Sequence, residues 1–334
     1  MIRQTACWSR RRGVRSMGAY RTPVEAAAYS TSKNPLKFKS NYEKQIMLFA
    51  SEVSVICGAN QYREISDVFL GVWKRTDKAY VNELELDLAP MIPETTEEKV
   101  ERVVVDEPEV QAILNSPSQN VAEVQHKLKA MQVHIDALPH LTVADKVEVV
   151  QALQSTLQTS FGAAQEVHAI EHYETQTQSN VQQRNAKFWS KRVGRVQSAD
   201  RKYRNVLVGG RIDGVSGETV IEVKNRMREF INPLPRYDVV QLQTYLYLLD
   251  STHGELVEHV KGKTKDKSKT TAVDWDPVEW NTNVVPYLAR FAHSLDRFMD
   301  GPTDLHHKFL TDDTLKRKEV IRSLWMDSPA DFDQ

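Results

Sequence analysis

VLVGGRIDGVSGETVIEVKNRMREFINPLPRYDVVQLQTYLYLL, residues 206–249, reads as strand, tight turn, strand, loop and buried helix. Val206 to Ile212 is rich in apolar and β-branched residues, and Gly214 with Ser216-Gly217 supplies the turn chemistry. Thr219 to Lys224 forms the second strand, so Asp213 falls at the end of the first and Glu222 within the second. Alternation along a strand sends Glu222 and Lys224 to one face and Val223 to the other. Two acids and a lysine at such positions are costly to bury unless they bind something. The ligand that suits clustered carboxylates is a hard divalent cation, Mg²⁺ or Mn²⁺.

The rest of the chain sets bounds on this reading. At 334 residues it can bury a sizeable core, and 40% hydrophobic with 27% charged residues is ordinary for a globular protein. A net charge of −1 excludes a globally basic nucleic-acid binder, leaving local patches to do any such work. Cys7 and Cys57 alone exclude a disulfide framework, a four-cysteine zinc site and a four-cysteine iron–sulfur cluster, and point to a reducing compartment. No apolar run approaches the roughly 20 residues that span a bilayer, so no membrane partner is expected.

The motif Asp213 … Glu222-Val223-Lys224 resembles the core of the PD-(D/E)xK nucleases. Two further stretches resemble the YqaJ-like viral recombinase, or lambda-type exonuclease, branch of that superfamily. The first is ASEVSVICGANQY followed by VFLGVWKR, whose Ala50-Ser51-Glu52 begins a helix; the resemblance makes Ser51 a phosphate contact. The second is Gly162-x-x-x-Glu166-x-x-Ala169-x-x-x-Tyr173. There Gly162, Glu166, Ala169, Ile170 and Tyr173 share one helical stripe, with Glu166 amid small and apolar neighbours. After the hairpin, Gln241 and Tyr245 share a helix face, and Gln-x-x-x-Tyr is similar to the family motif whose Gln positions the lysine or water. Gln243 is the alternative if the register differs by two.

The fold this resemblance implies is α/β with a restriction-endonuclease-like core, a central mixed β-sheet flanked by helices and a helical insertion; the residues alone give α/β and one large domain. Residues 1–36 form a basic leader, 37–84 an N-terminal helical part, 85–160 an acidic linker and helical insertion, 161–305 the core, and 306–334 a peripheral polar tail. Asn41–Ala59 and Ile65–Trp73 are expected as helices, and residues 75–110 as a loose, acidic excursion. His134 and His140 read as surface or packing residues. Phe188–Val196 is the strand before the hairpin, Glu255–Val260 and Thr271–Trp275 a later strand pair, and Pro277–Met299 a closing helix in which Pro286 introduces a kink.

The activity implied is that of a metal-dependent deoxyribonuclease, a 5′→3′ exonuclease on double-stranded DNA ends in recombination or repair. Glu166, Asp213, Glu222 and the Val223 carbonyl would hold one or two Mg²⁺ (or Mn²⁺), Lys224 would serve the attacking water, and Gln241 would fix Lys224 or the water. The DNA contacts expected are Ser51, Arg192, Arg195, Arg204, Arg211, Tyr245, Lys263 and Lys265. Arg201 and Lys202 belong to the same basic cluster, and Lys261, Lys267 and Lys269 to the same lysine row. The resemblance further implies a homo-oligomeric ring and a single-strand-annealing partner. A structure-selective endonuclease with the same site is the alternative activity. A catalytically silent nucleic-acid-binding scaffold is another, and its mark, loss of an acid or the lysine, is absent here. The six arginines and no acids of residues 1–24 resemble an organelle presequence directed to the mitochondrial matrix, whereas the family resemblance points to a viral protein in the host nucleus or cytoplasm.

Overall fold

The computed structural model describes residues 45–199, 201–262 and 266–333. The basic leader, Lys263 and Lys265 lie outside the described residues. The chain opens with strand β1 (Ile46–Phe49), not with the helix expected over Asn41–Ala59. Its four apolar residues pair in parallel with the strand that begins the decisive stretch, Ile46 opposite Val206 and Phe49 opposite Gly209. Helix α1 (Ala50–Ile56) follows directly, and the Glu52 side chain accepts the Phe49 backbone N–H at 2.9 Å. Helix α2 (Ile65–Thr76) buries Phe69 and Trp73 completely.

Residues 75–110, expected to be loose, are largely helical: α3 (Lys78–Asp87), α4 (Thr96–Asp106) and α5 (Pro108–Asn115). A capping box starts α4, with Thr95 accepting from the Glu98 N–H while Glu98 reaches back to the Thr95 N–H. Helix α6 (Val121–Asp136) and the 35-residue α7 (Val143–Thr177) complete this part. Val149, Leu153, Leu157 and Phe161 of α7 join Val100, Val103, Val124, Met131 and Ile135 in a hydrophobic cluster separate from the main core. The same helix runs unbroken past residue 160, and its later residues Ala169, Ile170 and Tyr173 pack on Ile221, Val223 and Val257 of the sheet.

Among the described residues the remaining strands are β2 (Phe188–Gln197), β3 (Tyr203–Arg211), β4 (Gly214–Ser216), β5 (Thr219–Arg226), β6 (His253–Val260) and β7 (Lys267–Asp274). They form one sheet of order β1-β3-β2 and one of order β4-β5-β6-β7. The stretch read as one hairpin over residues 206–224 therefore changes partners at Ile212-Asp213: β3 lies between β1 and β2, and the tight hairpin joins β4 to β5. Strands β5 and β6 are parallel and joined through α8 (Arg236–Leu249). The mixed α/β class, with mixed sheets flanked by helices, is as expected.

Gly210 shows why α8 and α1 reach the sheet so closely. A Cβ there would stand 2.9 Å from the Tyr245 ring and 3.2 Å from the Ala50 Cβ. The closing helix is interrupted: a π-helical turn, Trp280–Val284, precedes α9 (Val285–Met299), with Pro286 just after it. The segment read as a peripheral tail is part of the core. Helices α10 (Thr303–Thr311) and α11 (Thr314–Met326) bring Phe309, Leu310 and Ile321 into the main cluster, where Phe309 meets Phe69, Trp73 and Phe298 edge-on or tilted. A tail with few apolar residues is buried because α2 offers it two large aromatic rings. No described helix is long and apolar enough to cross a membrane.

Candidate active site

The site is built where β3 hands over to β4. β5 continues beyond its last β4 partner, Ile221, which pairs with Gly214. Val223 therefore has no β4 residue opposite it, and its N–H donates to Asp213 Oδ2 at 2.8 Å. Groups of one residue leave a strand on the same side, so the Val223 carbonyl faces the Asp213 side too. Glu222 is 2% exposed, and Lys224 Nζ lies 2.7 Å from its Oε1. The second oxygen, Glu222 Oε2, is buried without a hydrogen-bond partner.

Helix α8 supplies the next layer. Lys224 Nζ donates to Gln241 Oε1 at 3.0 Å, and Gln241 Nε2 donates to the Tyr245 hydroxyl at 3.2 Å. Asp238, in the first turn of α8 and 1% exposed, stands 3.5 Å from the same ammonium. Lys224 is thus surrounded by oxygen on three sides. From α7, Glu166 reaches the site half-buried, and its Oε1 accepts from Asn185 Nδ2 at 2.6 Å. Asn185 is itself fixed, its N–H donating to the Ile212 carbonyl and its own carbonyl accepting from Arg211 Nη1 at 3.2 Å.

The electrostatics follow from crowding of like charge in a dry place. Burial, reinforced by Asp213, pushes the Glu222 carboxyl up to about 8, against the pull of Lys224. Burial and the neighbouring Glu166 push Asp213 up to about 6, while Lys224 and the Val223 N–H oppose this. Glu166 is raised by burial and by Glu222, with Asn185 acting in the other direction. Burial works against the charge of Lys224, but Glu222, Asp238 and Asp213 together hold its ammonium above the ordinary lysine range. Burial, with Glu222 and Asp213 nearby, keeps the Tyr245 phenol neutral well beyond its usual range.

The structure brings Glu166, Asp213, Glu222, Val223, Lys224 and Gln241 together. Gln243, the alternative, belongs elsewhere: it is buried, donates to the Asp274 carbonyl at 2.7 Å and accepts from the Asp276 N–H at 3.0 Å. Two expected DNA contacts are corrected. Arg204 faces inward, paired with Asp296 and, at 3.0 Å, with Asp300, because these two acids on and after α9 need a cation. Tyr245 is 6% exposed, its ring under Gly210, and forms part of the site's floor. Ser51 and Arg192 are exposed, Arg195 lies over the Tyr203 ring at 4.2 Å, and Arg211 braces Asn185.

Asp238 and Asn185 went unseen in the sequence. The acid in YDVVQ carried a signal, since an acid ahead of an apolar helix favours the first turn. Nothing around Asn185 marked it.

The donors suit a hard divalent cation: carboxylate oxygens, a backbone carbonyl, and one buried carboxylate oxygen without a partner. The set is not closed. Among the described residues, no three His, Cys, Asp or Glu side chains are gathered so as to hold a metal ion. The nearest cation to Glu222 is the Lys224 ammonium.

No family model matches the chain, and no curated protein matches it. Among solved structures it is similar to an alkaline exonuclease (LHK-Exo) from Laribacter hongkongensis, at 15% identity and a TM-score of 0.30, covering 58% of this chain and 91% of that one. It is also similar to the same exonuclease in complex with dAMP, at 15% identity and 0.25, covering 63% and 90%. A structure described as SSO0001 matches at 14% identity and 0.28, covering 62% and 88%. Likenesses at these TM-scores carry no argument about the site.

Proposed function

We propose that this chain is a metal-dependent nuclease that hydrolyses DNA phosphodiester bonds, acting 5′→3′ from duplex ends. The observation that carries the reading is the grouping at the end of β5: Asp213 accepts the Val223 N–H at 2.8 Å, Glu222 lies 2.7 Å from Lys224 Nζ, and Glu166 from α7 stands near enough to raise the Asp213 carboxyl. Burial is the main cause that raises all three carboxyls, and their proximity to one another adds to it, as at sites that bind a charged partner. Glu166, Asp213, Glu222 and the Val223 carbonyl would hold Mg²⁺ or Mn²⁺, one ion or two. When bound, such an ion lowers the pKa of water and offsets charge on phosphoryl oxygens.

The chain's own residues do the positioning. Lys224, held protonated by Glu222 and Asp238, is not a proton acceptor; it orients the attacking water and offsets the negative charge that grows at the phosphorus. Gln241 fixes the ammonium by its carbonyl and is itself fixed by Tyr245. Asn185 sets the direction of Glu166.

The test is Mg²⁺-dependent digestion of 5′-end-labelled linear duplex against a closed circle, with wild type and Lys224→Ala. Mononucleotides released from the linear form only, and none from the variant, support the reading. Nicking of the circle replaces the exonuclease by the endonuclease. A folded, Mg²⁺-treated wild type that cuts no DNA sinks it.

A further inference from the structure

Beyond Lys224, strand β5 continues in the same alternation to Arg226, which lies between the site and a second surface. Its guanidinium is buried in a bridge, Nη2 to Asp238 Oδ2 at 2.8 Å and Nε to Glu258 Oε1 at 2.9 Å. The Ile231 N–H binds the same Glu258 oxygen at 3.0 Å, which anchors the loop after β5. On the Asp238 side, Tyr237 packs edge-on against Tyr62, with ring centroids 5.9 Å apart. Tyr62 is 73% exposed, more than any other aromatic side chain among the exposed large hydrophobic residues. Its loop is held by the Asn60 side chain, which accepts the Tyr62 N–H at 2.9 Å. On the Glu258 side is a cleft of about 270 Å³ between the loop and the β6–β7 end, lined by Arg228, Glu229, Phe230, Lys261 and Lys267, with Lys261 also paired to Asp266 at 3.3 Å.

An exposed ring on one side of the Arg226 bridge and a basic cleft on the other is the chemistry of unpaired nucleic acid: bases stack on the ring and phosphates follow the cations. A duplex keeps its bases stacked on one another and has little use for Tyr62. The cleft lies at the carboxyl end of a parallel strand pair, where the sheet opens. Arg228 is four residues beyond Lys224, at most about 13 Å along an extended strand.

We propose that Tyr62 and the Arg228–Lys261–Lys267 cleft form a binding path for the single-stranded portion of a nucleic-acid substrate, leading to Lys224. The assignment rests on the nuclease reading for its direction, but its test is binding, not cleavage. A fluorescent duplex with a single-stranded overhang and its blunt counterpart are titrated by anisotropy, with Ca²⁺ in place of Mg²⁺. Wild type binds the overhang more tightly than the blunt duplex. Tyr62→Ala weakens overhang binding by about 5-fold or more while Tyr62→Phe keeps it, because the stacking face is retained. Arg228→Ala with Lys267→Ala lowers the slope of log K against log salt by about 1.4, the loss of two single-strand phosphate contacts. Lys308→Ala with Lys316→Ala, in a cleft elsewhere, leaves that slope unchanged.

Equal affinity for blunt and overhang substrates, an unaffected Tyr62→Ala, or an unchanged slope in the Arg228/Lys267 variant overturns the path. So does a wild type that binds neither substrate. A protein that binds as described yet cuts nothing leaves the path standing and removes the nuclease reading instead.

Discussion

The raised carboxyls at the hairpin make a quantitative statement about stability without metal, and Glu222→Gln isolates it. Glu222 titrates near 8 in the folded chain and near its ordinary 4.5 in the unfolded one, so between those values the folded protein holds a proton that the unfolded chain has released. The unfolded state then binds fewer protons, and stability falls as pH rises, by about 1.4 kcal/mol per pH unit for one proton. The stability that the protonated carboxyl contributes is complete below the unfolded value and is lost on passing through the folded one. Asp213, near 6, adds a steeper stretch at the acid end of the same window. Glutamine keeps the shape of Glu222, still offers Lys224 an oxygen, and has nothing to titrate. Urea unfolding in EDTA, from about pH 5.5 to about pH 7.5, should show the wild type losing about 3 kcal/mol relative to Glu222→Gln over that interval. His259, whose pKa burial lowers, slopes the other way but is common to both proteins and cancels in the difference. Parallel stability lines for the two proteins would refute the claim that a proton is held at this site.

Four other substitutions separate the site from its scaffold. Gln243→Leu leaves the Asp276 N–H and the Asp274 carbonyl without their partner, and should cost about 1–3 kcal/mol in urea unfolding; Gln241→Ala should cost less stability and lower kcat on linear duplex instead. Arg204→Met strips the cation from the buried Asp296 and should destabilise by about 3–5 kcal/mol, without changing the salt dependence of DNA binding in any protein that remains folded. Gly210→Ala pushes a methyl into the Tyr245 ring and should cost about 1–3 kcal/mol by thermal unfolding, with kcat falling as the Gln241–Tyr245 contact shifts.

What was legible in the sequence was local chemistry. Glu222 and Lys224 share a strand face, Gln241 and Tyr245 share a helix face, and both spacings survive folding because each lies inside one regular element. What was not legible depended on partners far along the chain. Ile46–Phe49 continues an apolar pattern into α1 and reads as helix; it becomes a strand because β3 offers an edge to pair with. Arg204 looks like a surface cation until Asp296 and Asp300 arrive beside it. Phe309 and Leu310 look too sparse to make a core until α2 presents Phe69 and Trp73. The capping box at Thr95–Glu98 was a local signal, and it outweighs the acidic, proline-flanked composition that suggested a loose segment.

The parallel pairing of β1 with β3 also dictates an order of events. Ile46 must find Val206, 160 positions away, and closing a loop of that length costs about 4.5 kcal/mol in chain entropy before any contact repays it. Glu166, Asp213, Glu222, Lys224 and Gln241 lie within one much shorter run of chain, on a helix, a hairpin and the crossover that follows. The helices from α4 to α7 gather into their own cluster and shorten the distance β1 has to close. The hairpin and its flanking helices can thus assemble while β1 is still free, and docking of β1 is the late step. In pulse-labelled hydrogen exchange during refolding, amides of β5 and β6 should gain protection before those of β1.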